Sequence, residues 1–141
     1  MSLVRANVLL VAANLLHTAD HQRQGISGLS WEILAGGSAL TMAAIASLVL
    51  AWRDDERAPV FGSVLGLSAA AGIAASHLAP HWSVLSDSYP ESHADAISWL
   101  VVLLEIAGAL LLAAVSVLGL RRASNAAPRA AVAAHSGRTS G

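Results

Sequence analysis

The sequence predicts an all-α integral membrane protein, a four-helix bundle made of two parallel-repeat helical hairpins with both termini cytoplasmic. Three observations carry this. Apolar residues make up 55% of the chain and charged residues only 12%, about half the charged share usual in soluble domains. Four apolar runs alternate with short polar segments. The arginines gather on alternate connections between those runs.

Mean hydropathy is +0.61. A buried helical bundle would need polar residues to cover it, and this chain has too few, so lipid is the expected solvent for much of its surface. The absence of cysteine excludes disulfides, iron–sulfur clusters and thiolate metal sites. A net charge of -1 argues against nucleic acid as a partner. All eight basic residues are arginine, which with the alanine excess points to a GC-rich bacterial genome.

The first run, Leu3 to Leu16, is interrupted by Arg5, Asn7 and Asn14 and is the weakest of the four. It resembles a signal-peptide core in length, but the residues that follow, His17-Thr18-Ala19-Asp20, offer no small-x-small cleavage site. It reads as a retained helix over about 3–20. A polar loop with Gly25, Ser27 and Gly28 follows. Ser30 is placed to cap a second helix over 31–52, with Glu32 in its first turn and a tryptophan at each end for interfacial anchoring.

Arg53-Asp54-Asp55-Glu56-Arg57 is a charged connector, and Pro59 suits the first turn of a third helix over 59–78. That helix is rich in Gly, Ala and Ser, with Gly62-x-x-x-Gly66 at the spacing that lets backbones approach, so it is expected at the centre of the packing. Residues 80–95, with two prolines and several serines, are expected to be a non-helical loop. A fourth helix spans about 96–120 and ends at Arg121-Arg122. Residues 1–122 thus form one transmembrane domain, and 123–141 read as a disordered cytoplasmic tail.

Seven of the eight arginines fall on one side of this topology, and only Arg23 falls on the other. The positive-inside rule then places the termini in the cytoplasm and the two longer loops outside the cytoplasmic membrane of a bacterium. Five of six histidines collect at that outer face: His17, His21, His77, His81 and His93. Asp20, Glu32, Asp87, Glu91 and Asp95 accompany them.

His17-x-x-x-His21 and His77-x-x-x-His81 occupy corresponding places in the two hairpins, and each is followed by a Ser-Trp pair, Ser30-Trp31 and Ser98-Trp99. This suggests an internal repeat about an axis along the membrane normal. Histidines at i and i+4 share a helix face and can reach one ligand. For His77 and His81 the geometry is poorer, because Pro80 disfavours helical dihedrals at Ala79.

Imidazole with carboxylate suits zinc, copper, iron, nickel or manganese. The expected metal ligands are His17, His21, His77 and His81, with Asp20 and His93 as auxiliaries. A bis-histidine haem between His17 and His77 is an alternative, although such ligands usually lie deeper in the span. The remaining alternatives are an accessory membrane subunit without a cofactor and a metal-dependent intramembrane enzyme. Transport would require a homo-oligomer or a larger membrane complex.

Glu105 lies about 13 Å along the fourth helix from Ala96. An ionisable group at that depth is expected to face the bundle interior, buried with Asn14 and Glu32 as further polar groups, and either paired with Asn14, His17 or His77 or protonated and joining helices by a hydrogen bond alone. The separation of the His17 and His77 rings decides whether one ligand can hold both.

Overall fold

The computed structural model describes residues 1–25 and 28–138, with side chains as far as Asn125. Ile26 and Ser27 of the first loop lie outside the described residues, as do residues 139–141. Among the described residues every regular element is helical: α1 (Leu3–Gln24), α2 (Trp31–Trp52), α3 (Ala58–His77), α4 (Tyr89–Ser92) and α5 (Ala96–Arg138).

Each helix start has a local cause. The Ser2 hydroxyl accepts from the Arg5 N–H and begins α1, and Ser30 does the same for α2 through the Ile33 N–H. Pro59 occupies the first turn of α3, where its missing N–H costs nothing. The Asp95 carboxylate accepts from the Ile97 and Ser98 N–H groups at the start of α5.

Three differences from the sequence expectation have physical reasons. Helix α1 runs one turn past Asp20, because the Asp20 carboxylate accepts from Arg23 and Gln24, three and four residues on. Gly25, at φ 95°, then ends it. The loop over 80–95 contains a helical turn, α4, with Pro90 in its first turn, where proline favours rather than breaks a helix. The backbone of α5 stays helical to Arg138 beyond the expected end at Leu120, in keeping with the helix propensity of its alanines. The tail expected over 123–141 lies, past Asn125, outside the described side chains.

The four long helices close a ring: α1 packs on α2 and α5, and α3 packs on α2 and α5. At the α3–α5 contact, a Cβ on Gly66 would stand 2.5 Å from the Ala109 carbonyl oxygen and 2.7 Å from the Ala113 nitrogen. The two backbones are therefore as close as glycine allows. Leu10, Leu65, Ile73, Val102 and Leu112 fill the space between helices.

Among the described residues three helices, α2, α3 and α5 as far as Asn125, are long and apolar enough to cross a membrane, with mean hydropathies of 2.0, 1.6 and 2.6 over their most apolar stretches. Only 11% of the α2 window is buried inside the protein, so its hydrocarbon faces outward. Trp31 and Trp52, at its two ends, are 72% and 76% exposed. Helix α1 is less apolar because its inward face carries Asn7, Asn14, His17 and Asp20, all buried.

Candidate metal centre

Helices α1 and α3 bring their C-terminal ends together. The His17 and His77 ring centroids are 4.8 Å apart, His17 and His21 4.6 Å, and His21 and His77 5.5 Å. Each of the three offers a ligand nitrogen within 4.8 Å of the others. A tetrahedral ion with Zn–N bonds of about 2.0–2.1 Å would hold its nitrogens about 3.4 Å apart. Rotation of the rings about their side-chain bonds can close the difference.

What surrounds the rings fixes which nitrogen is free. Asn14 Nδ2 donates to Glu105 Oε1 at 2.8 Å, and with Glu105 ionised His17 Nδ1 is the donor to its Oε2. Thr41 of α2 donates in turn to Asn14 Oδ1 at 2.7 Å. Glu105 is completely buried, and its two oxygens are both engaged. His17 Nε2 is left buried with no hydrogen-bond partner. A buried, unpaired polar atom is costly unless something fills its coordination.

His77 follows the same pattern. Its Nδ1 donates to the Asp87 backbone carbonyl at 3.1 Å, which leaves Nε2 for a ligand. The Asp87 carboxylate lies 3.5 Å from His77 Nδ1 and 3.7 Å from His21 Nδ1. Metal-bound histidines commonly orient the ring in this way, giving the non-ligating N–H to a carboxylate or carbonyl. Asp87 is itself fixed, since its N–H donates to the Ser76 carbonyl at 2.9 Å. Two carboxylates, Glu105 and Asp87, thus stand behind the three imidazoles and match the charge of a dication.

Tyr89 of α4 backs the cluster. Its ring packs on His77 at 4.8 Å and on Trp99 at 5.7 Å. It is 1% exposed, and burial pushes its phenol up to about 12, so it contributes no negative charge at neutral pH.

The other expected ligands are not brought to this cluster. Asp20 is buried, but its oxygens are taken by Arg23 and Gln24 on the side facing Ser98. His81 follows the helix-ending Pro80, is exposed, and donates its backbone N–H to Glu91 Oε1 at 3.2 Å. His93 is exposed at a left-handed φ of 57°. Glu32 is half-buried and lines a cavity beside the cluster, rather than joining the Glu105 network.

Sequence reasoning missed Asp87 as a site residue, although it stood among the carboxylates of the outer face. It also missed Thr41, whose only signal was a hydroxyl at mid-span of an apolar helix. No protein-family model, no curated protein and no solved structure matches this chain.

Proposed function

We propose that this chain is a membrane-spanning four-helix bundle that holds one transition-metal ion at its outer end through the Nε2 atoms of His17, His21 and His77. The observation that carries the reading is His17, with Nδ1 bound to a buried carboxylate and Nε2 buried without a partner. Neutral imidazoles without thiolate suit a borderline dication such as zinc, copper, iron or nickel. Three nitrogens leave a fourth position open, the arrangement of catalytic rather than structural zinc. The metal-dependent enzyme reading is therefore a special case of this one.

Packing disfavours haem. The third ring, His21, stands against both His17 and His77, in the space a macrocycle between them would need. The distribution of arginines supports cytoplasmic termini and an outer-face site in a bacterial cytoplasmic membrane. The meeting of His17 and His77, the first histidine of each H-x-x-x-H, supports the repeat of two hairpins. The departure of His81 at Pro80 limits that repeat to the helices. The exposed apolar face of α2 fits lipid as its neighbour.

The test is metal content and zinc titration of protein purified in lipid nanodiscs. One ion per chain is expected, with uptake lost in His17→Ala and His77→Ala and kept in His81→Ala and His93→Ala. A chain that takes up no metal, or takes it up equally without His17 and His77, is an accessory membrane subunit with interfacial histidines.

A further inference from the structure

A cavity of about 580 Å³ adjoins the three histidines, between α1, α2 and α3. Its volume falls in the range of sites that enclose small molecules, about 300–1,000 Å³. Its outer end is polar, with His17, His21, His77, Glu105 and Asn14 in the wall. Along α3 the lining runs from His77 down to Leu65, about 18 Å at the helical rise. That volume over that length describes a narrow channel rather than a globular hole.

Away from the histidines the wall is mostly hydrocarbon and small residues, among them Ile33, Leu40, Leu65 and Ala69, with Glu32, Thr41 and Ser68 as polar groups in it. Leu34, Gly36, Gly37 and Ser38 of α2 line the cavity and are also exposed. A Cβ built on Gly36, Gly37 or Gly72 meets nothing within 4 Å. These glycines keep space open beside the cluster instead of closing a helix contact, in contrast to Gly66. The cavity therefore opens along the least-buried helix, the one whose surroundings are lipid.

We infer that this cavity binds an amphipathic, membrane-soluble molecule, a hydrocarbon or isoprenoid chain carrying a carbonyl, carboxyl or hydroxyl oxygen. The oxygen occupies the fourth position on the metal, and the chain lies down the channel between α2 and α3. Entry is sideways from the bilayer past Gly36 and Gly37. The inference rests on the metal reading above, and adds the class of ligand and its route. A site serving a small water-soluble ligand would need no apolar extension of this length.

The test uses cobalt-loaded protein in nanodiscs, titrated with acetohydroxamate and with octanohydroxamate and followed by the cobalt absorption spectrum. Gly72→Leu starts from a Cβ in open space and extends into the channel, and it leaves all three histidines in place. We expect Gly72→Leu to weaken octanohydroxamate at least tenfold and to leave acetohydroxamate and cobalt affinity unchanged. If both probes respond alike to Gly72→Leu, or neither responds, the chain channel is overturned while the metal reading stands. If the protein takes up no cobalt, both are overturned.

Discussion

Replacing Glu105 by glutamine tests the centre at the point where burial and chemistry meet. The carboxylate is fully buried and accepts from both Asn14 and His17. A glutamine of the same shape has one acceptor oxygen, so it can serve Asn14 or His17 but turns an NH₂ toward the other donor. Hydrogen bonds to a charged acceptor are worth roughly 1.5–3 kcal/mol each, and a buried donor left unpaired costs about 1–3 kcal/mol. Relief from burying a charge offsets part of that in the apo protein, so thermal stability alone does not discriminate.

Metal affinity does discriminate. Losing the partner that orients a ligating histidine typically costs about 10–100-fold, equivalent to about 1.4–2.8 kcal/mol of binding free energy. Competition against a chromogenic zinc chelator, in nanodiscs at neutral pH, reads this directly. Glu105→Gln should bind zinc 10–100-fold more weakly at unchanged stoichiometry. Equal affinity in Glu105→Gln and the parent would refute the role of Glu105 in presenting His17 Nε2, and with it the reason given for that atom's isolation.

Two further outcomes follow from the same geometry. Gly66→Ala should separate α3 from α5 and destabilise the fold by about 1–3 kcal/mol, because its Cβ meets the backbone at Ala109 and Ala113; Gly36→Ala, which meets nothing, should leave the thermal midpoint of detergent-solubilised protein unchanged or raised. Arg23 is bound to both Asp20 and Asp95, and the Ser98 N–H and this guanidinium hold the Asp95 carboxyl down at about 2 from an ordinary 3.8. A lowered carboxylate stabilises the fold fully above its ordinary value and loses that contribution as pH falls toward the folded value, so the Asp95 part of the α1–α5 contact is present above about pH 4 and lost between there and pH 2. An Asp95 carbon-13 titration should move upward in Arg23→Ala; an unmoved midpoint would mean that the Asp95 hydrogen bonds within α5 account for all of it.

Much of the scaffold was legible because its signals are local. The bounds of α2 follow from Ser30, the apolar run and the two tryptophans, which need no knowledge of the rest of the chain. The Glu105 partnership could be read because Asn14 and His17, three apart, share one face of α1, and a single buried carboxylate on another helix can serve both. Local rules misled where two of them competed. Prolines mark loops, but Pro90 follows Ser88-Tyr89 and so falls where proline opens a helix. Asp20 sits between the site histidines in sequence, but its two oxygens are taken by Arg23 and Gln24 in the next turn of the same helix, and it does not join the rings.

The site itself depends on contacts that no local pattern encodes. His81 has the spacing of a fourth ligand, yet the residue before it is proline, and a chain whose helix ends at His77 does not return His81 to the face of His77. The group that does return is Asp87, ten residues on from His77, carried back by its own N–H on the Ser76 carbonyl. From there the carboxylate faces two histidines at once. A regular H-x-x-x-H on each helix would have supplied four imidazoles and closed the coordination sphere. Breaking the second one at Pro80 leaves three imidazoles together beside the cavity along α2, with the Asp87 carboxylate behind two of them. On the proposed metal reading, that irregularity is what would leave a held ion one position free for a second molecule, where four imidazoles would enclose it.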